Sequence, residues 1–230
     1  MSNRCYFRFL RITLILLVVL MMLPVAASPL SAGGKTVITA SIEGTITPGK
    51  LVFLERKIRD AEKTGAELLV IILDTPGGLV DATISINSAI LNAELPVAVL
   101  VAPPGAIAAS AGSFIVLSSD IAAMAPGTTI GAAQPVTLSP EGVEEAGDKT
   151  TKFLSKHLHN LANEKGRPPE IAERFVTENL TLSAREAYEE GVIDYLASNL
   201  SELLEQLHGQ TVHKHDRKFI LDTANPVIET

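Results

Sequence analysis

The sequence has no tryptophan, one cysteine and an aromatic content of only 4%. The single cysteine, Cys5, excludes an intrachain disulfide framework. It also lies upstream of the apolar N-terminal run, the wrong side for a lipoprotein attachment cysteine. With so few aromatic residues, the core must be built from Ala, Val, Ile and Leu. Such small residues let helices and strands approach closely, which suits α/β layers. Positive charge is also in short supply: 19 Lys and Arg stand against 26 Asp and Glu, for a net charge of -7. An acidic chain of this kind argues against nucleic acid as a partner and against electrostatic docking on anionic lipid.

Long hydrophobic runs are confined to the first 27 residues. Arg4, Arg8 and Arg11 precede an apolar stretch from Ile12 to Val25, and small residues follow at Ala26, Ala27 and Ser28. This is the pattern of a signal peptide cleaved after Ala27, with an uncleaved anchor formed by residues 12–27 as the alternative. Either way the remainder is expected to be exported, to the periplasm or another extracytoplasmic space. Removing residues 1–27 takes away three arginines and no acid, so the mature chain would carry -10.

What remains alternates regularly. Residues 35–43 read as a strand, and Pro48 to Thr64 has helical spacing ended by Gly65. The apolar run Leu68 to Leu73 fits a strand buried on both faces of a parallel sheet. A turn at Asp74-Thr75-Pro76-Gly77-Gly78 leads into a second amphipathic helix, and Val97 to Val101 is a third buried strand. Strand, helix, strand, helix, strand at this spacing predicts βαβ units. Further along, Ile121 to Ala125 reads as a strand, 127–135 as loop and 139–148 as a polar, mobile flap. Helices are expected over 149–165, 169–177 and 183–190, the last with Ser183 and Glu186 at capping-box spacing. A strand over 192–196 and a helix over 201–207 follow, and residues 209–230 read as a poorly packed C-terminal tail.

Two stretches could carry chemistry. Gly77-Gly78 at the carboxyl end of a buried strand is by default a tight turn. It could also bare backbone N–H groups to a ligand at the sheet edge where α/β proteins place their sites. The run Gly105 to Gly112 holds Ser110 at a strand-to-helix junction. There the positive helix end favours an alkoxide, and the Ala111 N–H lies beside it as an oxyanion donor.

Together with Met124-Ala125-Pro126-Gly127-Thr128-Thr129-Ile130-Gly131, these stretches resemble the NfeD family of membrane-associated, Clp-class serine proteases. The similarity runs from about Val37 to Leu204. It includes Ala187-Tyr188-Glu189-Glu190-Gly191-Val192-Ile193-Asp194, similar to a segment shared across the Clp and crotonase superfamily. The resemblance implies an α/β, Clp/crotonase-like core of βαβ units with flanking helices, spanning 35–208. It further implies a Ser–Lys dyad endopeptidase: Ser110 as nucleophile, Lys149 as base, and Gly78 and Ala111 as oxyanion donors, with no cofactor and no metal. Its implied substrates are apolar, membrane-proximal peptide segments such as those of stomatin-like proteins, and its implied assembly is a homo-oligomer. Long members of the family continue into membrane helices and a small β-barrel, whereas this sequence has no second apolar span before Thr230.

Spacing alone leaves the base open among Lys149, Lys152 and Lys156. The similarity of Leu161 to Arg167 to the family's pattern sets the register that favours Lys149. A lysine base must lose its proton near neutral pH, which means lowering a reference pKa of about 10.4 by roughly three units, worth about 4 kcal/mol. His157 and His159 fall well inside the predicted helix and are not used by the family pattern. His213 and His215, two residues apart near the chain end, lack further ligands for a metal. Two readings from other classes share the fold: a crotonase-type acyl-CoA enzyme, and a catalytically silent interaction module.

Overall fold

The computed structural model describes residues 35–139 and 142–230. The proposed signal segment lies outside the described residues. Among the described residues no helix is long and apolar enough to cross a membrane.

The centre is a six-stranded sheet in which every pairing is parallel. Its strands are β1 (Thr36–Glu43), β2 (Leu68–Asp74), β3 (Val97–Val101), β5 (Ile121–Met124), β10 (Tyr195–Leu196) and β13 (Val227–Glu229), in the order β10-β5-β3-β2-β1-β13. The near-continuous Val/Ile/Leu content of β2 and β3 has a direct cause. Alternate side chains enter two different cores, so neither face is left for polar residues. Leu69, Ile71, Leu73, Val97, Val99 and Val101 pack on one face, while Leu68, Val70, Ala98 and Leu100 pack on the other.

The first face is covered by α1 (Pro48–Thr64), α2 (Val80–Asn92), α3 (Ala111–Ser118), α4 (Asp148–Glu164) and α5 (Pro169–Thr177). The second is covered by α7 (Leu200–Leu207), through Leu203, Leu204 and Leu207. Helix α1 presents Leu54, Ile58 and Ala61 inward and stops where Gly65 takes a left-handed conformation at φ 64°. Helix α6 (Ala184–Glu189) starts with the expected capping box: Ser183 accepts from the Glu186 N–H, and the Glu186 carboxylate accepts from the Ser183 N–H. Helix α3 differs from the others because all eight of its residues are buried. An all-round apolar helix of this kind belongs inside the protein.

Several expectations need correction. Residues 127–135, read as loop, contain β6 (Thr129–Gly131), which joins β4 (Ile107–Ala109) and β9 (Thr181–Ser183) in a three-stranded sheet of order β4-β6-β9. Strands of three residues are too short to display a period. The segment read as a flap holds β8 (Gly142–Glu145), which pairs antiparallel with β7 (Val136–Ser139) at its start. The strand expected over 192–196 shrinks to Tyr195–Leu196. Immediately before it, Asp194 accepts from Arg167 at 2.7 Å and from the Ala122 N–H at 2.7 Å.

The C-terminal segment is packed rather than loose. Strands β11 (Thr211–Lys214) and β12 (Arg217–Ile220) form a hairpin, and β13 adds in parallel to β1 through the pairs Thr36–Val227, Val37–Ile228 and Ile38–Glu229. Leu221 and Thr223 are buried, and Thr223 donates to the Leu204 carbonyl at 2.6 Å. The mixed polarity of this segment hides its burial because a charged residue, Lys214, does much of the anchoring.

Candidate active site

The carboxyl ends of β2 and β3 deliver the two stretches singled out in the sequence. After β2, Thr75 pairs across to Ala108 of β4: the Thr75 N–H donates to the Ile107 carbonyl at 2.8 Å, and the Ala109 N–H donates to the Thr75 carbonyl at 3.1 Å. The Asp74 carboxylate accepts from the Ile107 N–H at 3.0 Å. These bonds fix the Gly77-Gly78 turn beside the strand that leads to Ser110.

The turn is held from within by Thr75, which is fully buried. Its hydroxyl lies 2.7 Å from the Gly44 carbonyl, to which it donates, and accepts from the Gly77 N–H at 3.1 Å. Gly77 sits at φ 121°, and a Cβ there would fall 2.7 Å from the Cβ of Ser110. Only glycine fits between the turn and the serine. At Gly78 a Cβ would run into the backbone of Ile46, which brackets this turn through Ile46 N–H to Gly77 O and Leu79 N–H to Ile46 O.

Ser110 occupies the position before α3 with φ 51° and ψ -113°, a conformation that a residue bearing a Cβ rarely adopts. It is held there by its own N–H, which donates to the Gly131 carbonyl at 3.0 Å. The sharp turn projects the half-buried serine into a cleft of about 80 Å³ lined by Gly78, Val80, Ser110, Ala111, Phe114 and Leu154, among others. Among the described residues, neither the Gly78 N–H nor the Ala111 N–H has a hydrogen-bond partner. Both residues line the same cleft as Ser110, and Ala111 is the first residue of α3, at its positive end. A hydroxyl nucleophile flanked by two open N–H donors can attack a carbonyl and hold the resulting oxyanion.

The lysines are placed less closely. Lys149 lies in the first turn of α4, exposed, and is not among the residues lining the cleft. Lys152 is exposed and 3.8 Å from Asp148, and Lys156 is exposed. Helix α4 does reach the cleft through Leu154. His157 stacks between Phe114 and Phe153, with ring centroids 6.0 and 6.1 Å away, and lies 3.4 Å from Asn87. Burial pushes its pKa below the ordinary histidine value. His159 lies 2.9 Å from Glu173. His213 and His215 are exposed on the C-terminal hairpin, and no group of three metal-ligating side chains occurs among the described residues.

Sequence reasoning missed two buried hydroxyls. Thr75 is one. The other is Ser113, fully buried in α3, whose Oγ lies 3.0 Å from the Ala108 carbonyl, the Gly131 carbonyl and the Gly131 N–H. The available signal was a hydroxyl inside the otherwise apolar run Phe114 to Leu117 and its small-residue approach.

Residues 36–215 match the family description "NfeD1b, N-terminal domain". The chain is 43% identical over 185 residues to the membrane-bound protease PH1510 of Pyrococcus horikoshii, covering 80% of this chain and 42% of that protein. It therefore spans less than half the length of that relative. Two solved structures of a protein named 1510-N membrane-bound stomatin-specific protease superpose with TM-scores of 0.81 at 39% identity. One is a serine-to-alanine mutant, covering 86% of this chain and 97% of that one; the other is a lysine-to-alanine mutant in complex with a substrate peptide, covering 85% and 91%. ClpP1 from Listeria monocytogenes, 24% identical, shares the fold at a TM-score of 0.58 over 72% of this chain and 94% of its own. The fold is that of the ClpP-like proteases, and the chain belongs to the NfeD1b N-terminal domain family.

Proposed function

We propose that the chain is a serine-type endopeptidase in which Ser110 is the nucleophile, Lys149 the base, and the Gly78 and Ala111 N–H groups the oxyanion hole. The carrying observation is the strained Ser110 turn opening onto a cleft beside two N–H groups without partners among the described residues. The serine and lysine mutants of 1510-N, the latter bound to a substrate peptide, support a reading that involves both residue types.

In this mechanism Ser110 Oγ bonds to the scissile carbonyl carbon while its proton passes to Lys149 Nζ. The carbonyl oxygen takes the electron pair and is held by the two N–H groups. Collapse breaks the C–N bond, and the Lys149 ammonium returns the proton to the leaving amine. Water then attacks the acyl ester by the same route and regenerates Ser110. Because Lys149 stands exposed, the apolar surroundings a lysine base needs must arrive with the bound peptide. Leu79, Val80, Val136 and Phe153 are exposed, and Val80 and Val136 line the cleft itself. This favours an apolar substrate segment, as in stomatin-like proteins, which would desolvate the site as it binds. The exposed Phe153 on α4 equally suits packing against a second copy in a homo-oligomer.

The test is reaction of the full chain with a fluorophosphonate, followed by mapping of the adduct, together with cleavage of an apolar peptide panel. Labelling is expected at Ser110 and nowhere in Ser110→Ala. Lys149→Ala is expected to lower kcat by roughly 100-fold or more, while Lys152→Ala and Lys156→Ala stay near wild type. A normal rate in Lys149→Ala with loss in another lysine variant would reassign the base.

A further inference from the structure

We infer that Ser113 is a positioning residue for the Ser110 turn, acting through Gly131. This rests on Ser110 being the nucleophile. Ser113 is the third residue of α3, so no helical turn precedes it for its hydroxyl to bond back to. Ser113 instead reaches out of α3 to two different strands. Its Oγ lies 3.0 Å from the carbonyl of Ala108 in β4 and 3.0 Å from that of Gly131 in β6, so its single proton serves these two acceptors. The same oxygen accepts from the Gly131 N–H at 3.0 Å.

Gly131 is also the residue that holds the nucleophile, since its carbonyl accepts from the Ser110 N–H at 3.0 Å. One buried hydroxyl therefore joins the strand entering the turn, the helix leaving it, and the residue that anchors its apex. Gly131 has no other freedom. At φ 123° it is in glycine territory, and a Cβ there would strike the Leu180 carbonyl of the chain leading into β9. Gly131 is paired to Ala109 of β4 and Thr181 of β9, and the Ser113 bonds add to these pairings in placing its carbonyl, and so Ser110. Removing the hydroxyl takes a donor from the Ala108 and Gly131 carbonyls and an acceptor from the Gly131 N–H, and loosens the Ser110 turn from a conformation it would not hold unaided.

The experiment measures the rate of fluorophosphonate labelling of Ser110 and the kinetics of peptide cleavage in the full chain. Variants are Ser113→Ala, Ser113→Thr and, as a control, Thr223→Val. Thr223 is a buried hydroxyl on the opposite face of the sheet, donating to Leu204. Ser113→Ala is expected to slow labelling and lower kcat by about 100-fold, the scale of a small misplacement of a reacting atom, with KM changed less than about twofold. Ser113→Thr keeps the hydroxyl and is expected to recover most of the rate. Thr223→Val, with a comparable fall in unfolding midpoint, is expected to label at the wild-type rate. Wild-type labelling in Ser113→Ala would overturn the inference. So would an equal loss in Ser113→Thr, or an equal loss in Thr223→Val, since either would assign the effect to packing or general stability. Absence of any Ser110 adduct in the wild-type chain would instead overturn the Ser110 reading itself, and this inference with it.

Discussion

Ser110→Gly is expected to abolish peptide cleavage and, at the same time, to raise the unfolding midpoint. The two effects come from one backbone position. Ser110 sits at φ 51° and ψ -113°, where a Cβ clashes with its own peptide groups. Holding a non-glycine residue there costs on the order of 1–3 kcal/mol. Glycine removes that cost but adds roughly 0.5–1 kcal/mol of backbone entropy to the unfolded chain. The balance favours the variant by about 1 kcal/mol, or roughly 2–4 °C in a domain of this size. The Ser110 N–H bond to the Gly131 carbonyl is a backbone bond and survives the substitution. Activity, by contrast, should fall by about four to six orders of magnitude, because no other group replaces the proposed nucleophile.

Ser110→Ala separates the two effects. It removes the same hydroxyl and keeps the same Cβ, so it should be equally inactive and gain no stability. Thermal unfolding of the three proteins, read beside their cleavage rates, decides the matter. If Ser110→Gly were less stable than Ser110→Ala, the strain at this turn would not be what the serine maintains. A chain that keeps a strained residue at the cost of stability is spending that strain on placing a side chain, and this pattern is common at active sites.

The Ser110 turn was legible in the sequence because its surroundings were: glycines upstream at 77 and 78, and Ala111-Gly112 downstream. The structure gives each glycine a steric reason. Gly77 must pass Ser110, Gly78 must pass Ile46, and at Gly112 a Cβ would fall 2.8 Å from Thr75. The strands β1, β2 and β3 were equally legible, since burial on both faces writes an unbroken apolar run. The three-stranded sheet that leads into Ser110 and carries Gly131 was not. Its strands are three residues long, and their apolar content is shared with helix α3. Lys149 marks the other limit. Its proposed role rests on resemblance, and an exposed residue in the first turn of α4 has no packing signature to read. The C-terminal strands were missed for the opposite reason, because a buried charge made a packed segment look solvated.

That buried charge leads to the largest expected loss of stability, in Asp120→Asn. The Asp120 carboxylate accepts from Lys214 Nζ at 2.6 Å, Lys165 Nζ at 2.7 Å and the Val97 N–H at 2.9 Å. Lys214 also donates to the Ile90 carbonyl at 2.9 Å, so it ties the C-terminal hairpin to the end of α2. The side chains of Asp120 and Lys214 are each only 2% exposed. Burial pushes the Lys214 pKa below its ordinary value, and Asp120 pulls it part of the way back. Asparagine removes that pull and leaves a buried ammonium facing a second cation, Lys165. Breaking a buried pair in this way costs about 3–5 kcal/mol, or roughly 10 °C in unfolding midpoint.

The pH dependence has a definite sign. A lysine whose folded pKa is depressed binds more protons when unfolded, so stability rises with pH between the lowered folded value and the ordinary value of 10.5. Asp120→Asn depresses the folded value further and extends that window downward. The deficit relative to wild type should therefore be greatest near neutral pH and shrink as pH rises toward the ordinary lysine value. Adding Lys214→Met to Asp120→Asn removes the stranded charge and should recover part of the loss at neutral pH, with the pH dependence flattened. A deficit that is constant from neutral to alkaline pH, or that the added Lys214→Met leaves unchanged, would mean that Asp120 supports the fold through its bond to the Val97 N–H and not through the lysine it holds.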